Sequence, residues 1–384
     1  GASSTNAESR IGRFIEISKR GMLPAPLVYG KTHTLRAAGG GKINLQNQNR
    51  TANVQSDTPL GALISTPNGP GILHKISPDN RKLAVVVDGK GVVCDIVGCH
   101  SIGIRDLLVA PPGKVLVVVD SSTIELRVGH LLAGQLDTIA KIRSGVDLYC
   151  DFASDLYARP INKKEHPKER QHGKVAMLQL QYQSGAGSFQ RASRVMAKLM
   201  LSDDDAQKTV DVYRNKHAKI RQFWYRCQVA IEAMYAGEEM YIDQWGLCKT
   251  ERNAIVLPNG MRMHYTNLRQ RMVEGQDRPQ WEYDCKETRK VKRVYGGAIF
   301  ENLCQALAGL VVFEQLIAVE RRWAKPGCGV ALMVHDEGVV VVDEADGPDC
   351  LRFTIEAMKT PPKWWPDLPL GAEGDIGKRY GDCK

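Results

Sequence analysis

Two runs of mostly β-branched residues, far apart in the chain, each lead into an aspartate. Val115-Leu116-Val117-Val118-Val119 ends at Asp120. Val330-Ala331-Leu332-Met333-Val334 runs into His335-Asp336-Glu337-Gly338 and then four more valines. Both runs are too short to span a bilayer, so they read as buried strands. A carboxylate is rarely left at the end of such a strand without a partner or a metal. If the two strands are neighbours, the aspartates converge at one rim of a sheet and form a site for divalent cations.

The 384 residues allow two or three domains or one large lobed unit. No stretch reaches the roughly 18 uncharged apolar residues that argue for a membrane helix, so no membrane partner is expected. A net charge of +9 suits a polyanionic partner without identifying one. Ten cysteines, scattered without a small-domain framework, suit a reducing cytoplasm. The tightest group, Cys94-x4-Cys99-His100, lacks a fourth zinc ligand nearby and reads as ordinary thiols in a strand and turn.

Ala7 to Gly21 reads as a short helix. A glycine-rich loop follows at residues 31–41, and residues 51–104 read as strands joined by turns, with Pro78-Asp79-Asn80 and Asp88-Gly89 as turn signals. The pattern then becomes helical over 122–134, 147–158, 167–182, 190–199 and 203–235. A β excursion covers about 240–283, turning at Pro258-Asn259-Gly260, and 295–322 is a further helix. Strands, then helices, then strands again describe an α+β fold.

Arg170, Lys174, Leu178 and Tyr182 recur every four residues and so drift slowly along one helix face. Two cations one turn apart can grip a triphosphate, and an aromatic two turns on can cover a base pair. Asn302 and Gln305 lie one turn apart on the late helix. They can reach minor-groove edges, where readout is degenerate, or form the polar edge of an amphipathic core helix, and for Asn302 the two readings stand level.

Asp120-Ser121-Ser122-Thr123-Ile124-Glu125-Leu126-Arg127 resembles motif A of the family A DNA polymerases. Arg170 to Lys174 with Tyr182 matches the spacing of motif B, and Val334-His335-Asp336-Glu337 is similar to motif C. Arg36, in a Thr34-Leu35-Arg36 segment, and Asn47, in Asn44-Leu45-Gln46-Asn47, resemble the family's segment beside the primer-template duplex. Leu35 stands where the family usually has Gly, and Gln183 replaces the usual Gly after the tyrosine. Tyr295-Gly296-Gly297 with Glu301 to Ala306 is similar to the phage branch.

The resemblance implies a right-hand architecture. Residues 22–127 and 295–384 form a palm with an antiparallel sheet, 128–294 form mostly helical fingers, and 1–21 are the end of a thumb. It implies DNA synthesis by a two-metal mechanism, with Mg²⁺ (or Mn²⁺) held by Asp120, Asp336 and the Ser121 carbonyl. Carboxylates suit such hard cations. Arg170, Lys174, Tyr182 and Glu125 bind the deoxynucleoside triphosphate, Glu125 as a gate against the ribose 2′-hydroxyl. Arg36, Asn47, Asn302, Gln305 and His335 bind primer-template DNA. Glu337 is adjacent but not an essential ligand. The family normally carries a longer thumb and an N-terminal exonuclease region, so a fragment or half of a split polymerase is expected, with a separate polypeptide as a possible partner. The rivals are a single-subunit RNA polymerase, opposed by Glu125 and Glu337, and a primer-template-binding fragment with little catalysis of its own. The expected location is the cytoplasm, the host's if the chain is phage-encoded.

Overall fold

The computed structural model describes residues 27–39, 45, 52–54, 58, 60–101, 104–275 and 279–383, together with residues 16 and 19. The helix expected over 7–21 and the position of Asn47 lie outside the described residues.

The two valine runs are adjacent strands of one antiparallel sheet. Its strands are β9 (Lys114–Ser121), β16 (Gly329–Val334), β17 (Glu337–Asp343) and β18 (Ala372–Gly377), in the order β16-β17-β9-β18. Both faces are covered, which explains why the runs are continuous rather than alternating. Val115, Val117 and Val119 face the main helical core, while Leu116 and Val118 pack with Leu332, Val334, Val339, Tyr380 and Cys383 on the other side.

Helices follow β9: α1 (Ile124–Leu132), α2 (Leu136–Arg143), α3 (Leu148–Tyr157), α4 (Pro167–Leu180), α5 (Ala186–Ala197), α6 (Asp203–Lys216) and α7 (Ala218–Ala236). The expected helix over 203–235 is two helices, broken at His217 (φ −108°, ψ 58°), which ends one and begins the next. Gly173 lets α4 lie on α3, since a Cβ there would stand 2.2 Å from the Tyr149 carbonyl oxygen.

Two small antiparallel sheets then run further than the sequence suggests, to Val294. One is β10 (Lys249–Glu251), β11 (Ala254–Val256) and β12 (Arg262–His264). The other is β13 (Arg269–Arg271), β14 (Gln280–Cys285) and β15 (Lys290–Val294). Pro258-Asn259-Gly260 forms the β11–β12 turn, with Gly260 at φ 80°. The long helix α8 (Gly296–Trp323) has the length and composition to cross a membrane, but 56% of its most apolar window is buried inside the protein, and it acts as a core helix. α9 (Gly347–Lys359) packs on α8 and β9.

Earlier in the chain, β1 (Leu27–Val28) pairs with β2 (Ala38–Gly39). Residues 52–101 contribute a six-stranded antiparallel sheet with its own small core of Ile64, Leu73, Leu83, Val85 and Cys99. Its strands are β3 (Ala52–Asn53), β4 (Leu63–Thr66), β5 (Gly69–Ile76), β6 (Lys82–Val87), β7 (Lys90–Asp95) and β8 (His100–Ser101), ordered β3-β8-β4-β5-β6-β7. Asp88 (φ 48°) and Gly89 (φ 76°) make the two-residue β6–β7 turn. Two positive φ values match the type I′ geometry that the Asp-Gly pair favours.

Candidate active site

Strand pairing brings the two aspartates to one rim. Asp120 is the penultimate residue of β9, and Asp336 is the second residue of the two-residue turn joining β16 to β17. In register, Asp120 stands opposite Glu337 on one side and Glu373 on the other. The Ser121 N–H donates to the Asp336 carbonyl at 2.9 Å, which ties the turn to β9. His335 takes a positive φ of 56° at the first turn position and is exposed.

The Asp336 carboxyl is pushed above the usual range, mainly by burial and further by the negative charges of Glu125 and Glu337, with Arg36 opposing. A cation bound there would relieve that penalty. Asp120, Asp336 and the adjoining backbone carbonyls supply hard oxygens, so the donor set fits magnesium. Among the described residues no group of three or more His, Cys, Asp and Glu side chains forms a complete cage. Magnesium commonly takes one or two carboxylates and completes its shell with water and substrate phosphates, which is what such a partial donor set offers.

Glu337 is 4% exposed and turns to a different task. It accepts from the Arg105 guanidinium at 3.3 Å and from the Tyr380 hydroxyl, and Arg105 lies 4.4 Å over the Tyr380 ring. This buried cluster fixes β17 against the C-terminal turn and so positions Asp336. Arg127 does the same for the start of α1: its Nε donates to the Ser122 carbonyl at 2.7 Å and its Nη1 to the Pro369 carbonyl at 3.1 Å.

Glu125, in the first turn of α1, is held from two sides. The Tyr182 hydroxyl donates to Oε2 at 3.1 Å, and Arg36 Nη1 donates to Oε1 at 3.1 Å. Arg36 and Glu125 border a cleft of about 330 Å³, lined also by Ile124, Gly309, His335 and Asp336. Burial, then the neighbouring Cys304 and Glu125, push the Tyr182 phenol well above its ordinary value, so it stays a neutral donor.

Tyr182 is not on the helix that carries Arg170 and Lys174. α4 ends at Leu180, and the chain then turns through Gln183 at φ 65°. The buried end of this turn explains the break. The Gln181 carbonyl accepts from Trp224 Nε1 at 2.8 Å, and Gln183 Oε1 accepts from the Gly297 N–H at 2.9 Å. A Cβ on Gly297 would sit 2.5 Å from the Tyr182 carbonyl oxygen, which accounts for Gly at that place in Tyr295-Gly296-Gly297. Leu35 is likewise left-handed, at φ 59°. Where the resembled family usually has glycine, this chain therefore keeps a left-handed backbone with a side chain attached.

On α4, Arg170 Nε donates to Asp147 at 2.7 Å and its guanidinium lies 5.2 Å from the Tyr149 ring centroid. Lys174, one turn on, is exposed. Asn302 Nδ2 donates to the Tyr265 hydroxyl at 3.0 Å, and Gln305 Nε2 donates to Glu301 at 3.1 Å. Both amides line a second cleft of about 360 Å³ with Thr34, His33 and Lys292, and Arg36 borders both clefts. Asp147 also caps the N-terminus of α3, its carboxylate accepting from the Tyr149 and Cys150 N–H groups. Arg105, Tyr380 and Glu373 had no local signal, because each enters through pairing distant in the chain.

The antiparallel sheet with a carboxylate rim, followed by a helical lobe bearing cations, has the fold of a polymerase domain. It resembles the POL domain of Pol1 from M. smegmatis, a structure solved in complex with DNA primer-template and dNTP. The TM-score is 0.55 at 18% identity, covering 91% of this chain and 46% of that one. The family model of DNA polymerase family A matches residues 96–242. A DNA polymerase of Bacillus phage SP02 is 29% identical over 286 residues, 72% of this chain and 43% of the relative. The chain thus resembles DNA polymerase family A over residues 96–242 and spans under half the length of these two relatives.

Proposed function

We propose that this chain carries out template-directed DNA synthesis, transferring a deoxynucleotide to a primer 3′-hydroxyl. The observation that carries the proposal is the pairing of β9 with β17, which sets Asp120 and Asp336 at one rim beside the Glu125–Tyr182 contact. Asp120, Asp336 and the Ser121 carbonyl would hold two magnesium ions, or manganese, whose charge would favour deprotonation of the primer hydroxyl and offset that of the leaving pyrophosphate.

The protein's own groups divide the remaining work. Lys174 is exposed and able to pair with triphosphate, while Arg170 is preoriented by Asp147 for the same task. Tyr182, backed by the Phe300 edge at 5.9 Å, offers a ring face to the nascent base pair. Glu125, fixed by Tyr182 and Arg36, occupies the space a ribose 2′-hydroxyl would need. This favours deoxynucleotide over ribonucleotide synthesis. Arg36, Asn302, Gln305 and His335 face the two clefts, where primer-template DNA would lie. In this reading residues 22–127 and 295–384 act as the palm, 128–294 as the fingers and 1–21 as the end of the thumb.

Single-nucleotide insertion on a primer-template, with and without magnesium, tests the proposal. Extension that occurs only when a separate polypeptide is supplied would instead support a fragment that binds DNA and depends on a second chain.

A further inference from the structure

Cys94 and Cys99 belong to the six-stranded sheet of residues 52–101, which the synthesis reading leaves without a role. Cys94 lies on β7, paired in register with Leu83 of β6, and is half-buried. Cys99 follows the Asp95–Gly98 turn and is 1% exposed. Their sulfurs are 3.7 Å apart. The turn between them is held by the Ile96 N–H donating to the Arg81 carbonyl at 2.8 Å and the Cys99 N–H donating to the Ile96 carbonyl at 3.1 Å. The Cys99 thiol also donates to the Asp95 carbonyl at 3.1 Å. A disulfide needs the sulfurs at about 2.05 Å, so closure is a movement of roughly 1.7 Å.

We propose that Cys94 and Cys99 form a reactive dithiol that closes to an intramolecular disulfide by exchange with a low-molecular-weight disulfide. Of the ten cysteines, only Cys94 and Cys328 are partly exposed, and the other eight are buried. Cys328 lies against the Lys114 ammonium at 3.2 Å, whereas Cys94 has the Cys99 sulfur at 3.7 Å with which to resolve an adduct. The Cys94 thiolate attacks one sulfur of the incoming disulfide and expels the first small thiolate. Cys99 then loses its proton to solvent and attacks the Cys94 sulfur of the mixed disulfide, expelling the second. Two protein thiols and one small disulfide become one protein disulfide and two small thiols. Burial, with the neighbouring Cys94 adding to it, pushes the Cys99 thiol up to about 11, which makes Cys99 the resolving partner rather than the first nucleophile. The closed ring would brace the turn that joins the β7 edge to β8.

The test is to expose the folded full chain to oxidised glutathione, quench with an alkylating agent, and measure intact mass and cross-linked peptides. The native chain should lose two hydrogens and join Cys94 to Cys99 without retaining glutathione at either. Cys99→Ser, or Cys99→Ala if the serine variant unfolds, should hold one glutathione on Cys94. Amide exchange at Ile96 and Cys99 should slow at least severalfold in the oxidised chain and recover on reduction. A native chain that keeps glutathione on Cys94 without closing, or that leaves Cys94 unmodified while Cys328 reacts, would overturn the inference.

Discussion

The hydroxyl of Tyr182 donates to the carboxylate of Glu125 at 3.1 Å, joining the end of the α4 segment to the first turn of α1 beside the Asp120–Asp336 rim. It couples the residue expected to cover the base pair to the residue expected to gate the sugar. Tyr182→Phe keeps the ring and removes the donor. A hydrogen bond to a charged group contributes about 1.5–3 kcal/mol, less where solvent reaches it. The gate should loosen, and relative ribonucleotide insertion should rise roughly tenfold. Glu125→Ala should raise it further while lowering deoxynucleotide efficiency. Single-nucleotide insertion with each deoxynucleotide and its ribonucleotide measures both. An unchanged ratio in Glu125→Ala would remove the gate and revive the RNA polymerase reading.

The Arg105–Glu337–Tyr380 cluster predicts a stability effect apart from chemistry. Arg105→Met leaves the Glu337 carboxylate buried without its cation, a loss of about 3–5 kcal/mol in comparable buried pairs. Replacing both residues with apolar ones should recover much of that. Denaturant unfolding of the single and double variants gives the answer. A single variant as stable as the parent would show that Glu337 is not held by this pair.

Two helices end on left-handed residues other than glycine: Ala158 (φ 51°) after α3 and Lys198 (φ 53°) after α5, both exposed. Glycine is the favoured residue there. The left-handed penalty is about 1–2 kcal/mol, and the greater unfolded-state freedom of glycine offsets part of it. Ala158→Gly and Lys198→Gly should each stabilise by roughly 0.5–1 kcal/mol, and the two should add because they lie on separate helices. A fall in unfolding midpoint for either would contradict the backbone assignment.

Acid should weaken the helical lobe through His130 and His217. Their rings meet edge-on, 4.9 Å between centroids, and none of their ring nitrogens has a hydrogen-bond partner. Burial dominates in both, lowering His130 to about 4 and His217 to about 2, with the repulsion of His130 adding to the latter. Both folded values lie below the unfolded value of 6.5, so the unfolded chain binds protons first. Stability is full above that value and declines as pH falls through it. The His130 contribution to this loss levels off near its folded value of about 4. It amounts to roughly 3 kcal/mol. Unfolding free energies measured across this window should fall less steeply in His130→Leu than in the parent. Equal slopes would exclude His130 as a source.

Much of the architecture was legible in sequence for physical reasons. The valine runs are continuous because β9 and its neighbours are covered on both faces, and the turns at Asp88-Gly89 and Pro258-Asn259-Gly260 carry the residues their backbones require. The break at His217 was not legible, since no Gly or Pro marks it. Nor was the end of α4 before Tyr182, where the apolar and charged spacing continues as if the helix did. That end is set by Trp224 and Gly297, contacts that local periodicity cannot report. Within the site, the residue types were readable. The register of Asp120 against Glu337 and Glu373, and the hold of Asp147 on Arg170, came only with the fold.

The most direct test of the central claim is magnesium-dependent single-nucleotide insertion by the parent chain, Asp120→Asn and Asp336→Asn, each shown to be folded by its unfolding transition. Removing a charged ligand at the rim should cost roughly 10³-fold or more in insertion rate, about 4 kcal/mol of barrier, with the fold intact. Asp336→Asn should also be at least as stable as the parent near neutral pH, because its carboxyl is held above the usual range by burial and like charge. A folded variant of either aspartate that inserts nucleotides at the parental rate would contradict the assignment of this rim as the active site.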